Sequence, residues 1–290
     1  MKHVILTDMF RCVSCGKNKF STYRRINGYL LIHCLNCGLL LTRANEKQRK
    51  KYIHEKYTYQ YTENYRLVLP KLYGRFIKHV SLIEKYKKEG RLLDVGCGTG
   101  DFLKFIKDNY KKWRVFGVEP NWLLRRVASR NTNEKIKKGI LSNIPFVDNY
   151  FDVITCYDVL EHSIELKKNI LELQRVLKPT GLLLIQAPNY KSFMPYITGE
   201  KWDWWCIPDH VLHFSYKFLT NYLKKNGFTI LESYTYEDQV DYLSNIKSLF
   251  TSNYISKVIF YILVPVFLAI ERIGWLTNRG ALTIVVARKM

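Results

Sequence analysis

The chain has 290 residues, 47% of them hydrophobic, with 46 lysines and arginines against 25 acids and a net charge of +21. That length and apolar content bury one full α/β core and leave enough chain for a small appendage. The opening MKHVILTDMFRC lacks the apolar run of a secretory signal, and the seven cysteines therefore argue for thiolate chemistry in a reducing, cytoplasmic setting rather than for disulfides. The charge excess lies mainly in residues 43–91 (14 basic, 5 acidic) and 104–138 (11 basic, 3 acidic). A basic surface attracts nucleic acid, anionic lipid or phosphorylated substrates. Spread over several helices, the same charge also describes a solvated lysine-rich surface. No internal repeat or low-complexity segment is evident.

In chain order, the first feature is Cys12, Cys15, Cys34 and Cys37, written C-x2-C-x18-C-x2-C, a spacing that suits structural zinc. Gly16 and Gly38 follow the two pairs and can take the positive φ that turns backbone amides toward thiolates. Asn27–Gly28 between KFSTYRRI and YLLIHC is a two-residue hairpin signal. Together these predict a zinc ribbon over residues 1–42. Four cysteine ligands leave no position for a catalytic water, so the metal is structural. Twinned pairs across a hairpin argue against redox C-x-x-C chemistry. Cys97, Cys156 and Cys206 are single and read as small core or loop residues.

Residues 43–90 read as a linker followed by a helix. The stretch 43–65 is polar and rich in tyrosine (Tyr52, Tyr57, Tyr59, Tyr61 and Tyr65), an arm able to cover an active site. Helical spacing over 66–89 stops at Gly90, a C-terminal cap.

Residues 91–103, RLLDVGCGTGDFL, predict a buried parallel strand, a glycine turn and a helix start. Gly96, Gly98 and Gly100 let backbone approach a ligand with no Cβ between. Glu119, 21 residues after Gly98 and following the strand-like VFGV, stands where a Rossmann-like fold places an acid on a ribose diol. A dinucleotide would need a further glycine where Asp101 stands, and Asp101 and Asp94 would repel a pyrophosphate. Acids around a nucleoside site suit a ligand carrying an amine and a sulfonium.

Two more segments extend the pattern: IPFVDNYFDVITCYDVLEH (144–162) and LKPTGLLLIQAPN (177–189). With the glycine loop, they resemble the ordered motifs of class I S-adenosylmethionine-dependent methyltransferases over roughly residues 66–237 and the C-terminal tail. The resemblance implies an α/β, Rossmann-like, seven-stranded doubly wound sheet over 91–290. It implies S-adenosylmethionine as cofactor, held by Asp94, Gly96, Gly98, Gly100, Glu119 and Asp158. Many relatives carry an acid near the adenine; here Ile140–Leu141–Ser142–Asn143 occupies that stretch, with Ser142 and Asn143 as the polar candidates. Asp158, Glu161 and His162 form D-x-x-E-H, similar to an E-x-x-E-H metal site in quinone-biosynthesis O-methyltransferases. With the first position changed, Glu161 and His162 read instead as organisers of the acceptor pocket.

Residues 165–177 predict a helix through Leu166, Ile170, Leu173 and Leu177, and Ser215 predicts the cap of another carrying Phe218, Leu219, Tyr222 and Leu223. ILESYTYE (230–237) and ALTIVVARK (281–289) read as the last two strands, with a hydrophobic helical insertion at about 240–279. Within it, Val258–Ile270 is 13 apolar residues, short of the ~20 that a bilayer span needs. If both flanking strands join one sheet, a single crossing is excluded. The segment then lies on a membrane surface through 258–276, covers a hydrophobic partner, or adds a core or dimer helix.

Positioning donor and acceptor is the main catalytic task in transfer from a sulfonium, supplying ~7–11 kcal/mol. A base near an attacking hydroxyl adds roughly 10²–10⁴-fold. The candidates are His162, and His210 and His213 in DHVLHF. KWDWWCIPDH (201–210) places Trp202, Trp204 and Trp205 in a loop expected over the active-site mouth, suited to stacking on sugar faces or to closing a core. The whole arrangement resembles methyltransferases of bacterial surface-polysaccharide pathways, in which a four-cysteine ribbon precedes a class I domain. That similarity implies O-methylation of a nucleotide-linked or lipid-linked saccharide, with related sugar C-methyltransferases leaving carbon methylation open. Two other readings remain: RNA methylation, which a basic surface and zinc module suit, and a cofactor-binding zinc-ribbon interaction protein without catalysis. A homo-oligomer is also left open.

Overall fold

A computed structural model describes residues 5–7, 10–44, 47, 64–237, 243, 245–247, 249–250 and 254–290. Most of the tyrosine-rich arm read from 43–65 lies outside the described residues.

Four short strands open the chain: β1 (Ile5–Thr7), β2 (Lys19–Ile26), β3 (Tyr29–Cys34) and β4 (Leu40–Arg43), each antiparallel to the next. At the β2–β3 turn Asn27 and Gly28 have φ of 49° and 81°. Two positive φ values give the mirror-image turn whose twist matches a hairpin, which is why Asn-Gly occupies it.

Strands and helices then alternate: α1 (Asn64–Glu84), β5 (Gly90–Val95), α2 (Asp101–Asn109), β6 (Trp113–Val118), α3 (Trp122–Thr132), β7 (Phe151–Tyr157) and α4 (Leu166–Val176). Buried Phe102, Leu103, Phe105 and Ile106 give α2 its inward face. Asn121 caps α3, its side chain accepting from the Leu123 and Leu124 amides. α4 buries Leu166, Ile170 and Leu173 as its spacing predicts, but ends at Val176, and Leu177 begins the next strand.

The remainder is β8 (Leu177–Pro188), α5 (Met194–Thr198), β9 (Leu212–His213), α6 (Tyr216–Lys225), β10 (Phe228–Tyr236), α7 (Tyr254–Leu276) and β11 (Leu282–Lys289). Ser215 caps α6 by accepting the Phe218 amide at 3.1 Å.

The main sheet has the order β10-β11-β8-β7-β5-β6, with β6, β5 and β7 parallel. This is the Rossmann-like α/β fold, but with six strands among the described residues rather than seven. The missing strand would lie beyond β6, where a parallel bridge joins Val118 to Lys137. That segment, KIKKG (135–139), has one buried apolar residue, Ile136, among three lysines. Such a sequence offers an outer strand almost no face to bury, and its lysines blunt a sheet edge.

The chain forms two compact units that do not follow the predicted boundaries of 1–42, 43–90 and 91–290. One, the ribbon unit, is Met1–Ala44, Gln186–Tyr222 and Ser233–Ile284. The other, the cofactor unit, is Asn45–Ile185, Leu223–Glu232 and Val285–Met290. The reason is a shared core: Ile26, Leu31 and Leu40 of the ribbon pack with Tyr190, Trp202, Trp205 and Phe260. β9 also pairs antiparallel with β4, so the small sheet runs β1-β2-β3-β4-β9. In the cofactor unit, Phe76, Val80 and Ile83 of α1 pack with Phe102, Phe105 and Ile106 of α2 and with Leu182 and Leu184.

Candidate functional site: an acid-lined glycine loop and a four-cysteine cluster

The cofactor unit builds its site at the carboxyl ends of β5, β6 and β7. Gly96, Gly98 and Gly100 have φ of 72°, 54° and 77°, a left-handed path that side chains disfavour. The Gly96 and Cys97 amides donate to the Val118 carbonyl at 2.8 and 3.2 Å, folding the turn against the end of β6. A Cβ on Gly96 would stand 2.6 Å from Val159 Cγ2, and one on Gly100 would stand 3.0 Å from Ala128 Cβ. Glycine stands at 96 and 100 because a side chain at either would meet its neighbours.

Glu119 straps this loop. One carboxylate oxygen accepts the Gly98 amide at 3.0 Å and the other accepts the Asn121 amide at 2.8 Å. Asp94 sits at 6% exposure and accepts the Thr155 hydroxyl at 2.7 Å. Burial pushes the Asp94 carboxyl up to about 7; the Thr155 bond opposes the rise, and the Glu119 charge adds to it. Burial raises Glu119 as well, against the pull of its two amide donors. Two buried acids that both resist ionisation, beside bare backbone, are a site made for a cation. This donor set fits S-adenosylmethionine, with Asp94 supplying charge for its cationic groups, Glu119 offering acceptors to the ribose hydroxyls and the glycine loop supplying close approach.

The other residues of this predicted set are placed differently. Ser142 is buried and donates to Glu165 at 2.7 Å, while Asn143 is exposed. Asp158, just after β7, has φ 55°, a left-handed conformation that Asp tolerates better than bulkier residues do. His162 ends a 3₁₀ turn, Leu160–His162. Two residues that the sequence reading missed are Thr155, which holds Asp94, and Asn121, which joins Glu119 to the start of α3. The signal for Thr155 lies in the strand register, which sets it beside Asp94.

His210, His213 and the tryptophans belong to the ribbon unit. His210 is buried, and its Nδ1 lies 2.9 Å from the Trp204 carbonyl. A carbonyl only accepts, so Nδ1 carries the proton and the lone pair lies on Nε2, the tautomer a base needs. His213 is 4% exposed, its Nε2 is 2.7 Å from the Thr42 hydroxyl, and burial pulls its pKa down to about 3. Bonded across the β4–β9 pair, His213 ties β9 to the ribbon, and burial leaves it a weaker base than an ordinary imidazole.

Of the two readings of the tryptophans, a stacking platform or a closed core, the structure matches the second. Trp202 and Trp205 are 2% and 1% exposed, stacked edge to face at 5.0 Å, and Trp204 is only partly exposed. They close the core under the ribbon, and Trp205 donates its indole N–H to the Gly199 carbonyl.

The four cysteines converge as predicted. Their sulfurs lie within 4.8 Å of one another, with Cys12–Cys37 and Cys15–Cys34 each at 3.6 Å. A tetrahedron with Zn–S of about 2.3 Å has edges of about 3.8 Å, whereas a disulfide would be about 2.05 Å. All four are free thiols. Gly16 and Gly38, at φ 70° and 80°, close the knuckles by donating to the Cys12 and Cys34 carbonyls. The donor set fits a structural zinc ion.

Comparisons with known proteins agree with this geometry. A family profile described as a methyltransferase domain matches residues 61–233. The chain belongs to that family, and its domain is that of an S-adenosylmethionine-dependent methyltransferase. An uncharacterised protein of Methanocaldococcus jannaschii is 28% identical over 64% of this chain and 65% of its own length. An uncharacterised methyltransferase of Schizosaccharomyces pombe is 31% identical over 40% and 46%. A ubiquinone/menaquinone biosynthesis C-methyltransferase of Paraburkholderia phymatum is 35% identical over 33% and 42%. The chain thus spans 42–65% of the length of these curated relatives. Among solved structures, an S-adenosylmethionine-dependent methyltransferase of Thermotoga maritima superposes with TM-score 0.53 at 18% identity, over 83% of this chain and 98% of that one. Another, from Archaeoglobus fulgidus, gives 0.52 at 20% identity, over 82% and 99%. At these identities the likeness is one of fold.

Proposed function

We infer that the protein methylates a hydroxyl of a nucleotide-linked or lipid-linked saccharide, using S-adenosylmethionine bound at the glycine loop and a zinc ion in the four-cysteine cluster. When bound, the cofactor supplies an activated methyl group. The chain's own residues then have the tasks of holding its charge, positioning the acceptor and taking a proton from the hydroxyl. Asp94 does the first, with Glu119 on the ribose. His210 Nε2 is the candidate for the last, because the Trp204 carbonyl fixes its tautomer.

The observation that carries the reading is the joining of the ribbon to the DHVLHF segment through the β4–β9 pair. It makes the zinc cluster, the tryptophan core and the candidate histidine one structural module, separate in sequence from the glycine loop. The resemblance to polysaccharide-pathway methyltransferases rests on the same ribbon, loop and apolar segment. The buried tryptophans lend it no support as a sugar platform.

One observation favours RNA as the alternative acceptor. Trp122, 65% exposed, borders a groove of about 530 Å³ with Arg125, Arg126 and Arg130 on α3. An exposed ring beside three guanidiniums suits stacked bases and phosphates.

Incubating the purified protein and methyl-labelled cofactor with lipid-linked, nucleotide-sugar and RNA fractions tests both. Label in a saccharide hydroxyl supports the reading. Label confined to RNA replaces it, and none in any fraction, despite cofactor binding, favours the non-catalytic reading.

A further inference from the structure

α7 inverts the usual pattern of a surface helix. Phe260, Val264 and Phe267, at spacings of four and three, join the ribbon unit's core with Ile246 and Trp202. The opposite face is exposed yet remains apolar: Ile255, Ile259, Ile262, Val266, Ile273 and Leu276 form one continuous stripe. Ile255, Ile262 and Leu276 are 71%, 69% and 79% exposed, and mean hydropathy over Val258–Leu276 is 1.9. By length and composition alone this helix could cross a bilayer. Its packing excludes that. β10 and β11, on either side of it in sequence, are neighbours in one sheet, and the inner face lies along the protein core.

The C-terminal end of the stripe carries cations and amphipathic rings. Arg272 lies 5.5 Å over Trp275, while Arg279 lies 4.8 Å over Phe193 and 5.5 Å over the exposed Tyr196. Arg279 is fixed there, its amide donating to Gly274 and its carbonyl accepting from Phe193. Lys191 is exposed beside them. Among the described residues of 189–197 and 254–281 no acid is exposed; Glu271 is buried.

We propose that α7 lies in the plane of an anionic bilayer surface. Its stripe enters the acyl boundary, and Lys191, Arg272, Arg279, Tyr196 and Trp275 sit at headgroup level. A second copy of the chain would present the same acid-free surface and leave those cations unpaired, and a nucleic acid would not cover an apolar stripe. The inference stands apart from the identity of the acceptor, although a lipid-linked saccharide would be met at this surface.

The test is flotation of the full chain with vesicles of phosphatidylcholine alone and of phosphatidylcholine with phosphatidylglycerol. It is run alongside the double variant Ile262→Glu, Val266→Glu, whose sites are exposed. The wild type is expected to float with the anionic vesicles, less so with the neutral ones and less so in high salt. The variant should lose binding by ~10-fold or more while keeping its cofactor affinity, which reports on the other unit. No flotation of wild type, equal flotation of the variant, or a dimer that the variant dissolves without any vesicle binding would each overturn the proposal.

Discussion

Asp94 in the cofactor unit and His213 in the ribbon unit are both nearly closed off from water, and the same desolvation acts on both. It drives Asp94 up to about 7 and His213 down to about 3, so each is biased toward its neutral form. Their surroundings differ. Asp94 stands beside a second buried acid and a glycine-rich loop, an arrangement that costs stability until a cation arrives. His213 meets the Thr42 hydroxyl and is satisfied as it stands. Burial of a titratable group marks a ligand site only where the neighbours leave the charge unanswered.

The contrast can be broken at several points, the zinc cluster first. Because the ribbon shares a core with the tryptophan segment, Cys34→Ser should release metal and unfold more than the ribbon, costing on the order of several kcal/mol. Metal analysis and thermal melting check this, and full metal retention would refute the site. Glu119→Ala removes the acceptor of the Gly98 amide as well as a charge, and should weaken cofactor binding by ~10- to 100-fold with the zinc content unchanged. Asp94→Asn should separate stability from binding. Between pH 3.8 and about 7 the folded state keeps a proton that the unfolded state has lost, so Asp94 costs stability above that window. The Asn variant, melted at pH 8 without cofactor, should gain several degrees while losing affinity.

The pH dependence follows with the same sign. A cationic ligand favours ionised Asp94, so affinity should fall as pH drops below about 7, by at most ~10-fold per unit, and Asp94→Asn should flatten the profile. The smallest effect is expected on the ribbon side. His213→Asn and Thr42→Val should each lower the melting temperature slightly and non-additively, leaving the pH–rate profile in place. A profile that moves with His213 would make it the base.

Much of the geometry of the candidate cofactor site was legible because it is local. One strand, one turn and the next strand bring Gly96, Gly98, Gly100 and Glu119 together within a short stretch of chain. The Asn27–Gly28 hairpin and the cysteine knuckles are local in the same way. The ribbon unit was less legible because its contacts are distant. Thr42 and His213 are 171 positions apart, and Trp202 and Trp205 sit in a string without helical or strand periodicity that packs with ribbon residues such as Leu31 and Leu40. The missing outer strand had a readable cause in Lys135, Lys137 and Lys138, although the family pattern argued for a strand there.

Titration calorimetry of the folded, zinc-loaded protein with S-adenosylmethionine and its demethylated product, at pH 8 and at pH 6, tests the central claim most directly. The acid-lined loop predicts binding of both, with the sulfonium form losing more affinity at the lower pH. A protein that melts cooperatively yet gives no binding to either compound would contradict the account.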